Sequence, residues 1–218
     1  VKNPFMERDP ETAARDLVTE LFPQVVWAVL TGSVLTSHRT PGSDLDIVVL
    51  LPDGDSQAPH RDSRYFRDWP VEMFVHDAAS LDFWIAKDGG QRKPSLCRMV
   101  ATGVAVVGDP AERQRQRTEI LAKGPAPLTR DELDLARYGL TDLVDDLVHA
   151  IDPDEKRVIA ATAWTSAAQL TLAGADHWGG NGKWLLRELR SLDPDTAERW
   201  LAAHGDPAAI EAFAEEAL

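Results

Sequence analysis

Residues 10–22 carry apolar side chains at Ala13, Ala14, Leu17, Val18 and Leu21, directly after Asp9-Pro10. Spacing of three and four puts these on one stripe and predicts an amphipathic helix. The unbroken run Val25 to Leu30 predicts a buried strand over 25–31, closed by Gly32-Ser33 and a short helix. A second run, Ile47 to Leu51, predicts a strand over about 46–51, and Pro52-Asp53-Gly54-Asp55 with the polar stretch to His60 predicts a loop. A third strand centres on Val71–Val75, and residues 61–68 read either as a short helix or as an extension of it. Helices are predicted over 78–88 and 92–101. Gly103 to Pro110 reads as a fourth strand with its stop, and a charged helix covers 110–123.

Beyond this point the pattern turns helical throughout. Lys123-Gly124-Pro125-Ala126-Pro127 marks a boundary. Thr129 with Glu132 three residues on has the form of a capping box. Leu133, Ala136, Leu140, Leu143, Leu147 and Ala150 then form an apolar stripe. Pro153 starts a helix to about Leu172, Gly179-Gly180-Asn181-Gly182 interrupts, and Lys183–Arg190 resumes. Asp193-Pro194 and Asp206-Pro207 each open a further helix, with proline just inside the start. The pattern predicts an α+β chain: a small mixed-sheet module over 1–124, then an all-helical domain over 125–218.

Composition narrows the classes. A chain of 218 residues can form one domain or two small ones. Its one cysteine, Cys97, excludes an internal disulfide framework and a cysteine-rich zinc site. No apolar stretch reaches about 18 residues, and no charged-then-apolar leader opens the chain, so a soluble, cytoplasmic protein is expected, with no membrane partner. The net charge of −13 is uneven: residues 1–124 hold 15 basic against 18 acidic side chains, and residues 125–218 hold 8 against 18. Nucleic-acid binding rests largely on neutralising phosphates, and this chain lacks the basic character for it. An acidic half either attracts a cationic partner or simply keeps the protein soluble.

The chemistry concentrates in residues 31–47. Gly32-Ser33 closes the first apolar run, at a strand-to-helix turn where backbone N–H groups attract anions and glycine lets a phosphate approach. Ten residues separate Ser33 from Asp44, and Asp46 follows one residue later at the head of the second run. Side chains at i and i+2 of a strand point the same way, so the two carboxylates should project together. Their mutual repulsion is relieved by a divalent cation, and oxygen-only ligands suit a hard ion such as Mg²⁺. Ser33 is then a phosphate ligand, with Ser43 and Arg39 beside the motif. Glu72 lies 26 positions after Asp46 in the otherwise apolar stretch Pro70-Val71-Glu72-Met73-Phe74-Val75. It is a candidate third metal ligand or general base, although its flanks do not fix which face it occupies. His76 and Asp77 read as structural residues at the strand end.

Gly32-Ser33, the ten-residue gap and Ser43-Asp44-Leu45-Asp46 resemble the signature of the polymerase-β-type nucleotidyltransferase superfamily. The run Val71-Glu72-Met73-Phe74-Val75-His76-Asp77 is similar to that of the antibiotic (aminoglycoside) nucleotidyltransferases. The resemblance covers roughly residues 25–77. It implies transfer of a nucleoside monophosphate from an NTP to an acceptor hydroxyl. It also implies catalytic and metal-binding roles for Asp44, Asp46 and Glu72, and nucleotide contacts from Gly32 and Ser33.

In the helical half, Asp142, Asp145 and Asp146 lie within about one turn, and Asp142 and Asp146 form a mildly unfavourable i, i+4 pair of like charges. A cationic substrate would compensate them, and so would solvent. Lys183 and Arg187 share a helix face in a region poor in basic residues and are candidates to neutralise a triphosphate. Trp178 and Trp184 could stack on a base, but at helical spacing tryptophan is more often core. The combined expectation is a Mg²⁺-dependent adenylyltransferase, with two ions and ATP as donor, acting on a small cationic acceptor of the aminoglycoside type. The alternatives are an adenylyltransferase acting on a protein, as antitoxins of this superfamily do, and a non-catalytic nucleotide-binding module.

Overall fold

The structure, a computed structural model, describes residues 9–218. The first residues, on which the expectation about a leader rests, lie outside this range. The chain divides into two compact units, Val1–Lys123 and Gly124–Leu218.

In the first unit, helix α1 (Pro10–Leu21) starts at Asp9, whose carboxylate accepts the Glu11 N–H. Strands β1 (Trp27–Thr31), β2 (Leu45–Leu50), β3 (His60–Phe66), β4 (Trp69–His76) and β5 (Val104–Gly108) follow among the described residues. Helices α2 (Ala78–Gly90) and α3 (Ser95–Thr102) lie between β4 and β5, and α4 (Ala111–Lys123) ends the unit. The five strands form one mixed sheet in the order β3-β4-β2-β1-β5, in which only β2 and β4 pair in parallel.

Both faces of the central strands are covered, which is why β1 and β2 read as continuous apolar runs instead of alternating. Ala28, Leu30, Leu45, Ile47, Val49, Val71, Met73 and Val75 pack with Ala13, Ala14, Leu17 and Val18 of α1. Trp27, Val29, Val48 and Leu50 pack on the opposite face with Leu81 and Ile85 of α2 and Leu96, Cys97 and Val100 of α3. Arg117 of α4 is buried and binds Asp82 of α2, which also meets Arg113 one turn away at 3.4 Å. Cys97 is buried, and burial pushes its thiol up to about 11.

Residues 61–68 are neither a helix nor an extension of the third strand. They form most of a separate edge strand, antiparallel to β4. The turn between them uses Arg67 and Asp68, both at positive φ (47° and 66°), the geometry of a two-residue hairpin whose twist suits its strands. Arg67 is tied back to Asp16 of α1 at 2.6 Å.

The second unit is helical among its described residues: α5 (Arg130–His149), α6 (Pro153–Gly174), α7 (Lys183–Leu192), α8 (Pro194–Ala202) and α9 (Pro207–Ala217). The Thr129–Glu132 capping box is present in both directions. Asp152, Asp193 and Asp206 each cap the helix that their following proline begins. Leu140, Val144, Ala167, Leu170, Leu172, Leu185, Leu189, Trp200 and Phe213 form the main core. Trp164 and Trp200 stack at 3.8 Å with planes 6° apart, and each indole N–H donates to the other residue's carbonyl oxygen (2.7 and 2.8 Å). Both indole N–H groups are thereby satisfied within the fold.

Candidate active site

Strand register assembles the candidate residues of the first unit. Thr31, the last residue of β1, pairs with Asp46 of β2, and Asp46 pairs with Glu72 of β4, which pairs with Ser63 of β3. Neighbouring residues in a sheet share a face, so Thr31, Asp46, Glu72 and Ser63 form one row across four strands. Side-chain alternation assigns that row to the α2/α3 face, since Val48 and Leu50 are buried there while Leu45 and Ile47 pack toward α1. The face of Glu72, which the sequence pattern leaves open, is therefore the face of Asp46. Strand β2 begins at Leu45, so Asp44 stands one residue before it, half-buried.

The turn after β1 meets Asp46 directly. Gly32 has φ 91° and ψ −170°, and a Cβ built on it would lie 2.3 Å from Asp46 Oδ2. That backbone region is open in practice only to glycine, and the missing side chain leaves the space beside the carboxylate free. The expected short helix is a single 3₁₀ turn, Ser33–Leu35. Ser43 is buried, and its hydroxyl oxygen lies 3.0 Å from that of Ser33 while accepting the Thr40 N–H at 3.0 Å. Ser43 thus closes the loop that brings the Gly-Ser turn and the aspartates together. Arg39 is half-buried, with its guanidinium over the Trp69 ring at 5.2 Å.

Glu72 is engaged in an ion pair: Arg61 of the edge strand donates to its Oε2 at 2.6 Å. Among the described residues, no three acidic, histidine or cysteine side chains converge as a metal cluster. The all-oxygen donors nevertheless suit a hard divalent cation. Asp46 and Glu72 are lateral neighbours, and the space that a Cβ at Gly32 would fill opens on Asp46. Asp46 and Glu72 therefore stand side by side as oxygen donors of the kind such an ion takes.

His76 ends β4, is buried, and its Nδ1 makes no hydrogen bond. Burial pushes it below the ordinary imidazole range and the charge of His60 adds to this, against an opposing pull from Asp77. The imidazole is therefore neutral in the fold and protonates more readily in the unfolded chain. Stability from this group is complete above the ordinary histidine range, near 6.5, and is lost as pH falls from there through the lowered folded value. Melting temperature should fall between about pH 7 and 5, and His76→Asn should flatten that fall. An equal slope in both proteins would show that His76 is not its source.

In the second unit, Asp142, Asp145 and Asp146 are exposed on α5, opposite its buried Leu140, Val144 and Leu147. The same outward stripe carries Leu135 and Tyr138, 71% and 69% exposed. Their spacing belongs to a stripe that the apolar pattern, centred on the buried side, does not single out. Lys183 and Arg187 start α7, and the Arg187 guanidinium lies over the Trp184 ring at 4.7 Å. Trp178 is buried in the fold, while Trp184 is 38% exposed. The glycine-rich break packs tightly: a Cβ on Gly180 would stand 2.6 Å from the Trp184 backbone, and Gln169 donates to the Gly180 carbonyl at 2.6 Å.

Residues 12–97 match the family model of the nucleotidyltransferase domain. The matched segment runs from α1 into α3 and includes Gly32, Ser33, Ser43, Asp44, Asp46 and Glu72. Among solved structures, the chain is similar to a nucleotidyltransferase-like protein from Exiguobacterium sibiricum 255-15, at 12% identity, covering 96% of this chain and 74% of that one, with a TM-score of 0.48. No curated protein matches the sequence.

Proposed function

We propose that this chain, whose residues 12–97 match the model of the nucleotidyltransferase domain, is a nucleotidyltransferase that moves AMP from ATP to a hydroxyl of a small cationic acceptor, an aminoglycoside antibiotic. The observation that carries the reading is the row Thr31, Asp46 and Glu72 on one sheet face, with the side-chain-free Gly32 against Asp46. Asp44, Asp46 and Glu72 would hold Mg²⁺, which when bound supplies charge neutralisation for the triphosphate and for the attacking oxygen. The Ser33 hydroxyl and the N–H groups of its turn donate to phosphate oxygens. In this reading Lys183 and Arg187 of the second unit are the candidate cations for neutralising the triphosphate. The acceptor hydroxyl attacks the α-phosphorus, the bond to the β-phosphate oxygen breaks, and pyrophosphate leaves. Glu72 serves either as the third metal ligand or as the base that takes the hydroxyl proton. Positioning and electrostatics supply most of the rate.

The outward stripe of α5 supports the acceptor class. Asp142, Asp145 and Asp146 offer three carboxylates to ammonium groups, and Tyr138 offers an exposed ring. Binding of a polycation to such a stripe weakens as salt screens it. The test is pyrophosphate release with ATP, Mg²⁺ and a panel containing streptomycin, spectinomycin, kanamycin and gentamicin, with chelator as control. At least one of these should be adenylylated. Asp→Asn changes at 142, 145 and 146 together should raise the acceptor KM about tenfold with ATP kinetics unchanged. Turnover only with neutral acceptors, insensitive to salt and to these changes, would assign the acidic stripe to solubility. Modification of a co-expressed protein with none of the panel would favour the protein-directed alternative.

A further inference from the structure

Asp46 and Glu72 occupy paired positions on parallel neighbours β2 and β4. Like charges placed directly opposite in a sheet destabilise it. Arg61 supplies a counter-charge to Glu72. Arg61 of β3 stands opposite Phe74, two residues from Ser63, which faces Glu72. Its guanidinium lies over the Phe74 ring at 4.5 Å and reaches back along the strand to Glu72 Oε2 at 2.6 Å. The pair is open to water, with the two side chains 62% and 36% exposed. Ion pairs in such surroundings are weak, so a divalent ion can take the carboxylate from the arginine. The ring of Phe74 gives the guanidinium a second resting place that does not depend on Glu72.

We propose that Arg61 is a displaceable counter-ion: it holds Glu72 when no metal is bound and yields that carboxylate to the divalent cation. Arg61 is a positioning residue, and the inference rests on the metal-site reading above. In water-like surroundings, a unit charge a few ångströms from a divalent one corresponds to about a tenfold change in affinity. Mn²⁺ titrated alone and followed by electron paramagnetic resonance should therefore bind Arg61→Gln about tenfold more tightly than the unaltered protein. Arg61→Lys, which keeps the charge, should bind within about twofold of it. In a Glu72→Gln background, Arg61→Gln should lose most of its effect, since the two residues act through one contact. Circular dichroism confirms folding of each variant. Unchanged or weaker Mn²⁺ binding in Arg61→Gln overturns the proposal. If Asp46→Asn abolishes Mn²⁺ binding in the same series, the metal site survives that failure and only the role of Arg61 falls. If Asp46→Asn binds Mn²⁺ like the unaltered protein, the metal-site reading and the counter-ion both fall.

Discussion

Asp46→Asn is expected to lower nucleotidyl transfer about a thousandfold. A metal clamp on attacking and leaving oxygens supplies several kcal/mol of transition-state stabilisation, and each 1.4 kcal/mol is about tenfold in rate. The amide keeps the shape of the carboxylate but not its charge, so the loss falls on chemistry. Asp46 is also the only candidate ligand that neighbours both the Gly32 turn and Glu72. The substitution sits at the open end of β2, away from the packed Val48 and Leu50, and the metal-free melting temperature should stay within about 2 °C. Pyrophosphate release and thermal melts on the same preparation check both halves. Turnover above about one tenth of the unaltered enzyme would contradict the metal role.

Gly32→Ala should damage the same centre without removing any charged group. Its backbone, at φ 91° and ψ −170°, costs a residue with a Cβ about 1–3 kcal/mol. The new methyl would also lie 2.3 Å from Asp46 Oδ2, so the carboxylate must swing away. Displacement of a reacting group by about 1 Å costs roughly a hundredfold in rate. The expected variant is folded, less stable by about 2 kcal/mol, and about a hundredfold slower. Denaturant unfolding and steady-state kinetics measure the two effects separately. An alanine variant with full activity would mean that the close approach of the turn to Asp46 has no catalytic consequence.

Much of this arrangement is legible from residue order, for reasons that differ by element. The helix starts are written locally. Asp9-Pro10, Pro153, Asp193-Pro194 and Asp206-Pro207 each open a helix, and the Thr129–Glu132 box closes on itself. The Gly-Ser turn is likewise legible, because the backbone it needs is encoded within a few residues, whereas β2 begins only at Leu45 and leaves Asp44 outside the strand that the i, i+2 spacing assigns to both aspartates. Edge strand β3 is harder to read. His60-Arg61-Asp62-Ser63-Arg64-Tyr65-Phe66 is mostly exposed and lacks apolar alternation, and its turn uses Arg67-Asp68 where Asn-Gly would have been recognisable. The face of Glu72 could not be read from its flanks, because Phe74 is partly covered on the same side and breaks the alternation. The Arg61–Glu72 contact depends on pairing between strands and has no signal along the chain.

The helix starts of the second unit also bear on how the protein assembles. In each of α5, α6, α8 and α9, the capping side chain bonds backbone N–H groups no more than three residues away. Contacts so close in sequence carry little loop-closure cost and favour fast formation. The parallel β2–β4 pair, by contrast, joins Asp46 to Glu72 across an intervening strand. The step that aligns the two carboxylates therefore closes a longer loop than any of these caps, and it should follow them in folding.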